Sequence, residues 1–172
     1  MFGLCRSLSA EGSGKGTAGH GDSPVKGTII CIGNRFVEED AAGCLVCDIL
    51  RKMLPLPEGI ELVEGGTAGL NLLSFLERGG RVVFVDAVRG FVGDGELVLL
   101  SGEQIVQSSL ASHYGHDAGL GYLLSVLPGV YDGELPEEIV LLGLEGRCRG
   151  EILEKAARLS VDIAVHGLRG QA

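Results

Sequence analysis

The chain has 172 residues, 45% of them apolar, and a formal net charge of −9 at pH 7. That suffices for one domain with a single core and no disulfide or metal staple, and the acidity disfavours nucleic acid or an anionic membrane surface as partner. No apolar run nears the ~20 residues of a membrane span, Met1 to His20 carries no hydrophobic stretch that would serve as a signal peptide, and five cysteines without a framework spacing suit the reducing cytoplasm.

Residues 1–26 are rich in Gly and Ser without apolar periodicity and read as a flexible tail. Within it, Gly12-Ser13-Gly14-Lys15-Gly16-Thr17 superficially resembles a phosphate loop. Ser9 and Gly16 stand where such a loop needs Gly and Ser or Thr, and no strand precedes it. A single α/β domain is expected over 27–170. It opens with Thr28-Ile29-Ile30-Cys31-Ile32, a run suited to a buried parallel strand. Gly33-Asn34 ends that strand, and a helix is predicted from about Asp40 to Leu54, stopped by Pro55.

A second strand, Ile60 to Val63, leads into Glu64-Gly65-Gly66-Thr67-Ala68-Gly69, followed by a short helix from Leu70 to Glu77. The third strand, Arg81 to Val85, ends at Asp86. Glu96 to Leu100 follows after a link too short for a crossover helix, so it should run antiparallel. A loop is expected from Ser101 to Gly115, then a helix near His116 to Leu127. A fifth strand, Glu138 to Leu144, precedes a last helix near Gly150 to Val165. The expected fold is a doubly wound, mostly parallel five-stranded sheet with one antiparallel strand and helices on both faces.

In such sheets ligands bind beyond the carboxyl ends of the strands, where strand order reverses. If the first and third strands are neighbours, the loop Gly33 to Asp40 and the strand end at Asp86 open into one crevice. Both bring carboxylates there, and His113 and His116 lie on the long loop and the following helix start. Two carboxylates and an imidazole suit a divalent metal of N/O preference. The bland alternatives are that Asp40 caps the first helix and Asp86 a turn. Gly65, Gly66, Thr67 and Gly69 read as a substrate-contacting loop whose glycines let a peptide approach the backbone. Although the segment formally fits a nucleophile elbow, an internal Thr is a rare nucleophile that needs an adjacent base. Cys44-Leu45-Val46-Cys47 has C-x-x-C spacing but no second pair for zinc, so it reads as buried helix cysteines.

Several of these segments, in chain order, resemble the hydrogenase maturation endopeptidases. Ile32-Gly33-Asn34 through Glu39-Asp40-Ala41-Ala42-Gly43 is similar to that family's opening motif, and Glu64-Gly65-Gly66-Thr67-Ala68-Gly69 to its second. Val85-Asp86-Ala87 matches its third-strand Asp, His116-Asp117-Ala118-Gly119-Leu120 its His before an apolar helix, and Val140 to Leu144 its last strand. Cys31 stands where the family usually has Gly, and Glu145-Gly146 where it often has Pro. Glu38, Glu39 and Asp40 offer three candidates for an acidic pair.

The resemblance implies an endopeptidase, expected as a monomer, that removes a C-terminal extension from the nickel–iron hydrogenase large-subunit precursor. It also implies that Asp40, Asp86 and His116 bind metal, with Asp40 and Asp86 catalytic. The metal would be nickel already seated in the precursor, with no intrinsic cofactor, although other divalent ions could occupy the site. Two mechanisms stay open. A carboxylate could act as general base on water while the metal polarises the carbonyl, or the metal could only position the tail. His113 remains the rival of His116. The alternative function is a non-catalytic flavodoxin-like nickel-binding module or metallochaperone in hydrogenase assembly.

Overall fold

The computed structural model describes residues 26–77, 79–111, 118–130 and 135–171. The Gly/Ser-rich tail before Lys26, with its glycine–lysine motif, lies outside the described residues, as do His113 and His116. The five strands are β1 (Gly27–Ile32), β2 (Ile60–Gly66), β3 (Arg81–Val88), β4 (Leu97–Ser101) and β5 (Glu138–Glu145). They form one sheet in the order β2-β1-β3-β5-β4, with β4 antiparallel to β5 and the other pairings parallel. The predicted fold class and its antiparallel strand are therefore what the chain forms.

The helices are α1 (Ala42–Lys52), α2 (Leu73–Leu76), α3 (Gly102–Ala111), α4 (Ala118–Val130) and α5 (Glu151–His166). Because successive strand residues face opposite sides, the apolar runs fill two cores at once. Ile29, Cys31, Val83, Val85 and Leu142 pack on one face with Val46 and Leu50 of α1 and Ala156 and Ile163 of α5. Ile30, Val82, Phe84 and Leu141 pack on the other with Leu76 of α2, Ile105 of α3 and Leu123 of α4.

The segment expected to be a loop from Ser101 contains α3 instead. Its start carries a reciprocal capping box: Gln104 donates its backbone N–H to Ser101 Oγ (3.3 Å), and Ser101 N–H donates to Gln104 Oε1 (2.8 Å). The sequence pattern Ser-x-x-Gln was present, but Gly102 in the first helical position and a modest apolar stripe concealed the helix. β3 also runs on past Asp86 to Val88, because β5 continues to pair with it as far as Glu145.

Candidate active site

The site begins where two strands part. β1 pairs with β3 only as far as Cys31–Val85, whereas β3 stays beside β5 to Val88–Glu145. Asp86 is thus the first residue of β3 beyond its last β1 partner. Strand order reverses between β1 and β3, and a cleft of about 330 Å³ opens there, lined by both Asp40 and Asp86. By strand alternation Asp86 shares its face with Phe84 and Val88, the side covered by α2, α3 and α4.

Asp40 reaches the same cleft from the other side, on the loop after β1. Gly33 turns the chain there with φ +134°, and a Cβ at Gly33 would collide with the carbonyl of Asp40. Asn34 N–H donates both to the Asp40 carbonyl (3.0 Å) and to Asp40 Oδ2 (2.9 Å). The carboxylate is therefore oriented inside its own loop. It does not cap α1, whose N-cap residue is Ala41 with no side-chain hydrogen bond. Of the three neighbouring acids only Asp40 lines the cleft. Glu38 turns outward to Arg149 (2.9 Å) and Arg147 (3.9 Å), and Glu39 is exposed. Gly43 completes the juxtaposition: a side chain there would strike the carbonyls of Ile32 and Val85, so only glycine lets α1 press onto the ends of β1 and β3.

The loop after β2 contributes Gly66, Thr67 and Gly69 to the lining. Gly66 and Gly69 both have φ +52°, and no atom lies within 4 Å of where a Cβ would stand. Their backbone therefore faces open space. Gly65 does not line the cleft. It is buried, and a Cβ there would meet Ile30 (3.0 Å) and Leu72 (3.2 Å). Glu64 also points elsewhere, to Arg51 (2.6 Å) and Arg35 (3.2 Å), which hold its carboxyl below the usual range.

Several lining residues stand outside the motifs read from the sequence, four of them on segments its apolar pattern does not mark. Ile105 and Ser108 come from the unexpected α3, and Arg89 and Phe91 from the loop after β3. The capping box at Ser101 would have revealed the first two. Nothing in the sequence marked the others. Among the described lining residues only Asp40, Asp86 and Arg89 carry charge, and the floor is aliphatic.

The loop bearing Phe91 is held by Glu145, which is only 7% exposed. Its Oε1 accepts the N–H of Gly90 (2.6 Å), and its Oε2 accepts those of Phe91 (3.0 Å) and Val92 (3.4 Å). Burial by itself would raise this carboxyl, but the three N–H groups outweigh it and the net shift is downward. Glu145→Gln places an amide NH₂ against one of those donors. The variant should lose about 2 kcal/mol of stability at pH 7, some 4–8 °C in melting temperature. Because the folded-state pKa is depressed, the wild-type advantage is full above the ordinary glutamate value of about 4.3. It should shrink as pH falls below that value and through the lower folded one. Thermal melts of the two proteins across that range check both the size and the sign.

Cys44 and Cys47 are buried on α1, as expected. Cys44 sits in the first turn of the helix, closer to the N-terminus than the sequence implied, because α1 begins at Ala42. Burial nonetheless pushes its thiol up, and Sγ donates to the Gly33 carbonyl (3.4 Å). It packs behind the Asp40 loop and remains a thiol at neutral pH.

Among the described residues no group of three or more His, Cys, Asp and Glu is arranged to hold an ion. The described chain resumes at Ala118, and Gly119 and Leu120 of α4 line the cleft. Also among the described residues, no helix is long and apolar enough to cross a membrane.

Comparison with known proteins agrees with this architecture. The chain is 26% identical over 117 residues to the hydrogenase 2 maturation protease of Escherichia coli K12, covering 67% of this chain and 70% of that protein. It superposes on the hydrogenase maturating endopeptidase HybD from Escherichia coli with a TM-score of 0.66 at 22% identity, covering 86% of this chain and 94% of that one. The hydrogenase 2 maturation peptidase of a Thaumarchaeota archaeon gives a TM-score of 0.52 at 26% identity, covering 84% and 98%. The model of the family described as hydrogenase maturation protease matches residues 44–166, a span that holds Asp86 and His116. That match spans well over half of the chain, and with the shared sheet architecture it shows that this chain belongs to the hydrogenase maturation proteases and is a peptidase.

Proposed function

We propose that this peptidase removes a C-terminal extension from the precursor of a nickel–iron hydrogenase large subunit, and that it recognises nickel already seated in that precursor. The observation that carries the reading is the convergence of Asp40, from the loop after β1, and Asp86, from β3 itself, on one cleft at the fork of β1 and β3. Two carboxylates are hard oxygen donors suited to a divalent ion. His116 is assigned as the third ligand from the family motif, supported by the cleft position of Gly119 and Leu120 just after it.

Three protein ligands leave coordination positions for the substrate, so affinity for the ion is completed only by the nickel-loaded precursor. The bound ion supplies Lewis-acid polarisation of a carbonyl. The chain's own residues do the rest. Asn34 N–H orients Asp40, the open backbone at Gly66 and Gly69 accepts an extended peptide, and one carboxylate takes the proton of the attacking water. The free cysteines at Cys31, Cys44, Cys47 and Cys148 support action in a reducing cytoplasm.

The test compares nickel-loaded and nickel-free precursor with the same chelator-treated protease, reading mass loss at the precursor's C-terminus. Loaded precursor should be trimmed and nickel-free precursor left intact. Equal trimming of both ends the recognition model. Binding of loaded precursor without mass loss points instead to a metallochaperone. In the same assay His116→Ala should be inactive and His113→Ala active. The reverse pattern moves the ligand to His113.

A further inference from the structure

Ten large apolar side chains are exposed among the described residues, and five of them gather at one edge of the sheet. Phe36 and Val37 lie on the loop after β1, Leu70 on the turn after β2, and Phe91 and Val92 on the loop after β3. These strands are adjacent and parallel, so their three loops emerge side by side around the mouth of the cleft. Phe36 is 95% exposed, an unusual position for a phenylalanine with no partner to cover it. Phe91 belongs to the collar and to the cleft lining together, so the two surfaces are continuous.

The loops after β1 and β3, which display four of these five side chains, are fastened. Arg35, beside Phe36, pairs with Asp48 (2.6 Å) and Glu64 (3.2 Å). Glu38, beside Val37, pairs with Arg149 (2.9 Å). The N–H groups of Phe91 and Val92 are held by buried Glu145. Apolar groups presented on tethered loops lose little freedom when covered, which is the economy of a preformed docking surface.

We propose that this collar docks the folded body of the protein substrate, gripping an apolar patch beside the root of the segment that enters the cleft. The proposal rests on the reading that the substrate is a protein precursor, and it adds the surface that selects it. A partner with an apolar surface is required because the collar offers five hydrocarbon side chains and only its flanks carry charge. Exposed aromatic anchors at the centre of an interface carry a large share of binding energy.

Phe36→Asp and Leu70→Asp, on separate loops, test it, with Leu54→Asp as control. Leu54 is 58% exposed but lies past the far end of α1. Kinetics of trimming of nickel-loaded precursor, calorimetric binding of the same precursor, and sedimentation of the protease alone are measured. Both collar variants should melt as wild type, raise KM and Kd roughly tenfold or more, and leave kcat within about twofold. Leu54→Asp should match wild type. Unchanged KM and Kd in both collar variants overturns the proposal. So does a wild-type dimer that Phe36→Asp dissolves, which would give the collar to a second copy of the chain. A wild type that does not trim the precursor fails the functional reading, and calorimetry then decides the collar separately: wild-type binding lost in the variants supports it, and no wild-type binding overturns it.

Discussion

Asp86→Asn and Asp40→Asn should each fold as wild type yet process precursor slower by roughly 10²–10⁴-fold, the range expected when a catalytic acid–base group is lost. The substitutions are nearly isosteric, and each retains the local hydrogen bond seen in the structure. Ala87 N–H donates to Asp86 Oδ1 at 2.8 Å, and Asn34 N–H donates to Asp40 Oδ2 at 2.9 Å. An amide oxygen accepts both. What vanishes is a negative charge and a proton acceptor at the fork of the sheet. Circular dichroism melts within a few degrees of wild type, set beside mass spectrometry of the precursor, separate a chemical defect from a folding one. Processing within tenfold of wild type by either variant would remove that residue from the chemistry.

Gly43→Ala should damage both stability and processing. Alanine is ordinarily worth about 1 kcal/mol over glycine inside a helix. At Gly43 the added methyl would run into the carbonyls of Ile32 and Val85, which are backbone and cannot rotate aside. Forcing α1 outward costs about 3 kcal/mol, so the net loss is about 2 kcal/mol, or roughly 4–8 °C in melting temperature. The functional loss should be larger than that suggests. Asp40 lies directly before α1 and opposite Asp86, and a displacement of about 1 Å at such a site can cost ~10²-fold in rate. Gly119→Ala, where nothing lies within 4 Å of the added Cβ, is the comparison. It should fold normally, and a Gly43→Ala enzyme with normal melting and normal turnover would show that α1 need not press on the strands.

The two cores were largely legible beforehand, because Ile29-Ile30-Cys31 and Val82-Val83-Phe84-Val85 are apolar on both faces, as only strands covered by helices on each side can be. The antiparallel β4 was legible from the shortness of its link to β3. With β1 and β3 as neighbours, the sequence order of Asp40 and Asp86 puts both at one crevice. α3 is not legible in the apolar pattern although Ser101 and Gln104 form its capping box, because Gly102 and the polar Gln107, Ser108 and Ser109 blur the helical stripe. With α3 went Ile105 and Ser108, which wall the cleft.

Local signals determined the strands, most of the helices and the order of the motifs, since each depends on residues close together in the chain. Only the tertiary structure decided which of Glu38, Glu39 and Asp40 faces the cleft, because Glu38 is claimed by partners far along the chain and Asp40 by the turn of its own loop. Arg147 and Arg149 draw Glu38 outward, while Asn34 turns Asp40 inward. It likewise decided that Gly65 packs against Ile30 and Leu72 while its neighbour Gly66 opens to the site, a division that two adjacent glycines do not reveal by themselves. The tether from Glu145 to Gly90, Phe91 and Val92 joins positions more than fifty residues apart. No periodicity encodes it, because it exists only once β5 lies beside β3 and brings a buried carboxylate under three unpaired N–H groups.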